Sequence, residues 1–153
     1  MEEVKNIFFK SNLFSSDKKL VFHPEYLELT NKKSNIFKSK FEKESIANFR
    51  YGIKWLNGYA FTFGRIYCID IENDKNEIIK IRLKSFYGFN LKSLSDKYVK
   101  IIDFLQDYYF DDISRKYLYN FTNDISFIIN NIEFNKNGII LKKKHCSLGR
   151  CRN

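Results

Sequence analysis

One proline and six glycines in 153 residues leave little material for linkers or disordered tracts, and the chain reads as packed throughout. No apolar run approaches the roughly eighteen residues that a membrane-spanning helix needs. The opening MEEVKNIFFKSNLF carries early acids and no sustained apolar core, which argues against a secretory signal and predicts a cytoplasmic protein. Three cysteines are too few for a disulfide framework, and Cys68 falls inside a predicted strand. Neither a Walker-type loop nor a dinucleotide fingerprint is present, so Gly64, Gly88 and Gly138 belong to no phosphate cradle. His23 stands alone beside Pro24, where a turn histidine is the simpler reading than a general base. His145, Cys146 and Cys151 supply three soft ligands where a zinc site wants four in a recognised spacing. No clustered nucleophile and base is found, and the expectation is a protein with neither enzymatic activity nor cofactor.

What the chain has in quantity is aromatic side chains, 16 Phe and 10 Tyr, and positive charge, a formal +9. The charge is uneven. Lys142, Lys143, Lys144, Arg150 and Arg152 fall in a terminal stretch without acids, which leaves 22 basic residues against 18 acidic ones for positions 1–141. Most of the excess is therefore a basic tail, and such a patch binds polyanions weakly by counterion release without an evolved site.

Hydropathy along the chain is organised first by a period of two. In LVFHPEYLEL, Leu20 and Phe22 precede a turn at Pro24, and Leu27 and Leu29 follow it, the pattern of a tight hairpin. A strand is predicted from Ile36 to Phe41. From Phe49 to Ile71 most apolar residues then fall on odd positions: Phe49, Tyr51, Ile53 and Trp55 before Asn57-Gly58, and Tyr59, Phe61, Phe63, Tyr67, Ile69 and Ile71 after it. The spacing predicts a long, half-buried antiparallel hairpin with a type I′ turn at Asn57-Gly58 and a bulge or bend at Gly64. IIKIRLKSF continues the alternation, with Ile79, Ile81 and Leu83 inward.

The period then lengthens to that of a helix. Tyr98, Ile101, Ile102, Leu105, Tyr108 and Tyr109 share a stripe, with Ser93 or Ser95 as the expected cap. A second helical stretch is predicted over 112–121, with Asp111 and Asp112 at its start, where the helix dipole favours anions. Strands followed by helices define the α+β class. The predicted organisation is an N-terminal segment over 1–18, either a short helix or an edge segment, then a sheet-plus-helix domain over 19–125, a hairpin over 126–141 and the basic tail over 142–153. That last hairpin, IEFNKNGIIL, lines up with LVFHPEYLEL at a constant offset of 112: Ile132 with Leu20, Phe134 with Phe22, Ile139 with Leu27, Leu141 with Leu29. Either chance alternation or the opening of a second, truncated unit accounts for the match.

The order and spacing of SIANFRYGI, FTFGRIYCIDI and IKIRLKS resemble the pleckstrin-homology-like (PH-like) domains of bacterial proteins, over roughly Lys19 to Phe121. The resemblance implies a seven-stranded, strongly bent, barrel-like antiparallel sheet closed at one end by a helix, whereas about six strands are counted in the sequence before the helices. It also implies a scaffold for binding peptides, lipid headgroups or partner proteins, among which the fold does not choose.

One constellation bears on such binding. Arg50, Lys54, Lys80, Arg82 and Lys84 fall at even positions and would share one outward sheet face if their strands lie close, making an anion- or partner-binding patch. The plain alternative is a solvated face charged against edge pairing. The expected function is a non-enzymatic interaction module with a protein partner. The alternative is binding of anionic lipid or nucleic acid through the basic face and tail, and a homo-oligomer is left open.

Overall fold

Alternating side chains form seven strands before the helical segment begins. The computed structural model describes residues 3–10, 16–31, 37–129 and 132–141, and the chain divides into two compact units, Met1–Ile113 and Ser114–Asn153. In the first unit, β1 (Lys5–Phe9), β2 (Lys18–Phe22), β3 (Tyr26–Asn31) and β4 (Phe37–Glu42) make one antiparallel sheet in chain order. A single 3-10 turn, Lys43–Ser45, leads into a second antiparallel sheet of β5 (Ile46–Asn57), β6 (Thr62–Asn73) and β7 (Ile78–Phe86). The N-terminal segment thus holds an edge strand, β1, paired with β2 from Lys5 opposite Phe22 to Phe9 opposite Lys18.

Both sheets bury one face into a common core. Ile7, Phe9, Leu20, Phe22, Leu27, Leu29 and Phe41 come from the first, and Tyr67, Ile69, Ile71, Ile79, Ile81 and Leu83 from the second. Completing this core are α1 (Leu91–Leu105) and a wide π turn (Gln106–Phe110), from which the helical run continues without a break as α2 (Asp111–Thr122). The helix touches both sheets. Tyr98 lies on Tyr67 of β6, with ring centroids 5.0 Å apart. Phe104, Tyr108 and Tyr109 surround Phe22 of β2. The Tyr108 hydroxyl also donates to the Glu3 carbonyl, just ahead of β1.

Local chemistry departs from expectation at three points. The helix begins earlier than Ser93, at Leu91 after a left-handed Asn90 that makes no side-chain cap. The two expected helices are one, because the π turn absorbs an extra residue and keeps the consecutive Tyr108 and Tyr109 both buried. Asp111 and Asp112 therefore lie inside the run rather than at a helix start, and Asp112 instead pairs with Lys43 at 2.8 Å. The Asn57-Gly58 turn is also not the two-residue type I′ turn. Gly58 donates to the Phe61 carbonyl and the Thr62 hydroxyl donates to the Asn57 side chain, which sets a longer loop over 58–61. A register shift follows, with Asn57 opposite Thr62 but Leu56 opposite Gly64, so the bulge expected near Gly64 is present.

In the second unit, β8 (Phe127–Ile129), β9 (Ile132–Asn135) and β10 (Gly138–Leu141) form a three-stranded antiparallel sheet. Phe127 stacks between Tyr117 and Phe134. The register of β9 with β10 reproduces that of β2 with β3 at the offset of 112: Leu20 faces Leu29 as Ile132 faces Leu141, and Phe22 faces Leu27 as Phe134 faces Ile139. The tail over 142–153 lies outside the described residues. The architecture is α+β, with three open antiparallel sheets and one long helical run.

Candidate functional site

The strand β5 has one strand neighbour among the described residues. Eleven of its twelve residues, all but Ala47, pair with β6, and no strand among the described residues occupies its other edge. Register fixes which side chains share a face. Tyr51 sits opposite Ile69, Ile53 opposite Tyr67, and Trp55 opposite Arg65, so the three odd residues extend the same face that β6 and β7 bury in the core.

Yet they are not buried. Tyr51 is 52%, Ile53 43% and Trp55 50% exposed, while Tyr67, Ile69, Ile81 and Leu83 across the same sheet are sealed. The expectation that all odd positions of this hairpin pack inward is corrected here, as it is for Tyr59 and Phe61, which are exposed in the loop region. The reason is reach. α1 packs along β7 and meets β6 at Tyr67, and β5 lies one strand further out. What results is an apolar row at an open sheet edge, bounded on its inner side by the helix.

Two contacts organise this row. The Arg65 guanidinium lies 4.4 Å from the Trp55 ring centroid, a cation–π pair that orients the indole. Tyr51 lies within electrostatic reach of Tyr98, whose hydroxyl burial holds above the ordinary tyrosine range, with lesser contributions from Tyr51, Cys68 and Tyr67. Tyr98 therefore stays protonated at neutral pH.

On the opposite, outward face the five predicted basic residues do come together, in columns set by register. Arg50, Asp70 and Lys80 form one column, Gly52, Cys68 and Arg82 the next, and Lys54, Ile66 and Lys84 the third. The two basic strands are not neighbours, because β6 runs between them and contributes acids. Arg82 reaches Asp70 at 2.6 Å and donates to the carbonyls of Ile69 and Ile81. Asp70 Oδ1 is buried with that guanidinium as its charge partner, at ion-pair distance without hydrogen-bond alignment. Arg50 lies 3.7 Å from Glu72, which in turn accepts from Asn48. Lys54, Lys80 and Lys84 have no carboxylate within 4.0 Å among the described residues. Arg82 is thus tied into the sheet, and the free positive charge of this face lies on the three lysines and, in part, Arg50.

Other candidates resolve into structure. His23 is a turn residue: its Nδ1 accepts from the Glu25 amide and its ring stacks on Tyr26 at 4.3 Å. Cys68 is half-buried, with its thiol near the Ile66 carbonyl. An open concavity along α1 is lined by Lys92, Ser93, Asp96, Lys97 and Lys100, a carboxylate among ammonium groups with no paired base for the hydroxyl. No group of three or more His, Cys, Asp or Glu side chains among the described residues is placed to hold a metal ion. His145, Cys146 and Cys151, together with the tail bases, lie outside the described residues. No helix among the described residues is long and apolar enough to cross a membrane.

The open apolar edge was not legible as a site in the sequence, since alternation tells which face a residue takes and not whether anything covers it. Comparisons of this chain with protein-family models, curated proteins and solved structures find no match.

Proposed function

We propose that this chain is a non-enzymatic, cytoplasmic binding module of PH-like architecture that takes an extended segment of a partner protein along the free edge of β5. The architectural part is supported by seven strands divided four and three, followed by a helix that touches both sheets. A strongly bent, barrel-like arrangement of those sheets is the corresponding shape. The functional part is carried by one observation, the uncovered row Tyr51, Ile53 and Trp55 on a twelve-residue strand with an unpaired edge.

An exposed edge offers a ladder of backbone donors and acceptors, and sheets that leave one long and apolar invite pairing. Strand addition uses that ladder for affinity and alternate side-chain contacts for selectivity. Here the contacts would be the apolar row on one face and Arg50 and Lys54 on the other.

The test uses the single tryptophan, which sits in the row. Ten-residue peptides selected from a displayed library against the chain are expected to shift Trp55 emission, to slow amide exchange along β5, and to lose binding with Ile53→Asp. Selected peptides that leave β5 exchange unchanged and tolerate Ile53→Asp would overturn the reading.

A second reading rests on Lys54, Lys80 and Lys84, which share the outward face without acidic partners. That face, with Arg50, Arg82 and the tail, would hold anionic lipid or nucleic acid through counterion release. Association of this kind collapses between low and moderate salt. Insensitivity to salt would exclude it.

A further inference from the structure

The chemistry of the β5 edge also specifies what kind of segment it accepts, an inference that rests on the strand-addition reading above. β5 carries Arg50 and Lys54 and no acidic residue anywhere in IANFRYGIKWLN. The two cations are four positions apart on the outward face, while Tyr51, Ile53 and Trp55 alternate on the inward one. Gly52 lies between the cations, and even a methyl group there would meet no atom within 4 Å. The nearest acids belong to β6. Asp70 is committed to Arg82 at 2.6 Å, and Glu72 serves Arg50 only at 3.7 Å while also accepting from Asn48. The outward side of β5 is thus left with uncompensated positive charge at Lys54 and partly compensated charge at Arg50.

An added antiparallel strand places a side chain directly across from each of these residues, and opposite charges so placed attract while like charges repel. From this we infer that the edge selects an extended segment with apolar residues across from Trp55, Ile53 and Tyr51 and carboxylates across from Lys54 and Arg50. Read along the partner, this is apolar, acidic, apolar, any, apolar, acidic. The unrestricted position falls across from Gly52, where there is room for a large side chain.

The same charges disfavour a second copy of this chain as the occupant. Pairing two β5 strands antiparallel about Gly52 would set Arg50 against Lys54 twice, and other registers that match the apolar rows still gather four cations on one face with no acid from either strand. Charge complementarity therefore points outward, to an acidic partner.

Three synthetic ten-residue peptides test this. Each carries valine at the three apolar positions and threonine at the unrestricted one, with glutamate, threonine or lysine at the two positions across from Lys54 and Arg50. Titration followed by Trp55 emission is expected to show the glutamate peptide binding at least tenfold tighter than the threonine peptide, with the lysine peptide weaker still. The preference should shrink as salt is raised, and the double variant Arg50→Glu, Lys54→Glu should reverse it. Equal affinity for all three would overturn the charge rule and leave strand addition standing. If none of the three bound, strand addition at this edge would fall and the rule with it. Dimerisation in sedimentation, abolished by Ile53→Asp, would overturn the rule by placing a second copy on the edge.

Discussion

The hydroxyl of Tyr109, in the π turn of the helical run, lies 2.8 Å from the carbonyl oxygen of Tyr26, eighty-three residues earlier, and 3.0 Å from that of His23. One phenolic proton is thus shared between the two carbonyls that also close the β2–β3 turn through the His23 and Tyr26 amides. The contact fastens the helix to the tip of the β2–β3 hairpin.

Removing that proton tests the fastening. Tyr109→Phe keeps the buried ring against Phe22 and deletes the donor. Because both carbonyls retain backbone partners, the expected loss is about 1 kcal/mol, read as a lower denaturation midpoint with an unchanged slope. A loss several times larger would mean the hydroxyl does more than hold this turn.

Gly64 and Gly52 provide a matched pair on neighbouring strands. A Cβ at Gly64 would sit 2.6 Å from the Ser85 carbonyl oxygen, a backbone atom that moves only with β7, whereas Gly52 faces open space. Gly64→Ala is expected to destabilise by about 1–3 kcal/mol through this overlap. Gly52→Ala should be neutral or stabilising by up to about 1 kcal/mol, since the unfolded chain loses freedom. Urea denaturation of the two variants side by side distinguishes them.

Alkaline stability follows from Tyr98. Its folded-state ionisation lies above the ordinary value of 10.0, chiefly because the ring is buried against Tyr67. A raised folded value means that the folded state holds the proton more tightly than the unfolded state. The stabilising contribution is complete below pH 10.0 and is lost as pH rises through the higher folded value. Tyr98→Phe should flatten the fall in melting temperature above pH 10.0 and leave the neutral range nearly unchanged.

The two hairpins related by the offset of 112 make a fourth comparison. Leu27 and Ile139 hold the same register position, opposite Phe22 and Phe134, yet Leu27 is fully buried and Ile139 is 64% exposed. Leu27→Ala should cost about 2–5 kcal/mol, and Ile139→Ala no more than about 0.5 kcal/mol. Equal costs would show that Ile139 is covered in solution.

Much of this fold could be read before any coordinates, because a period of two records which residues share a sheet face. That pattern marks β2, β3, β4, β5, β6 and β7, and it puts Arg50, Lys54, Lys80, Arg82 and Lys84 on one face. What a period cannot record is the partner. The ion pair of Arg82 with Asp70 depends on a register between strands, and the exposure of Trp55 depends on how far α1 extends over the sheet. The π turn was hidden for a similar reason: Tyr108 and Tyr109 fit a widened stripe as well as a regular one, and only the packing of both rings around Phe22 decides. At the loop 58–61, a side-chain bond from Thr62 to Asn57 outweighs the local preference of Asn-Gly for a tighter turn.

The placement of the one indole has a practical consequence for anyone measuring this protein. Trp55 is half in solvent on a peripheral strand, while the aromatic rings buried in the interior are phenylalanine and tyrosine. A melt followed by tryptophan emission would begin from an already wet chromophore and report chiefly the detachment of one border strand, so loss of the aromatic interior is better followed by near-ultraviolet tyrosine dichroism.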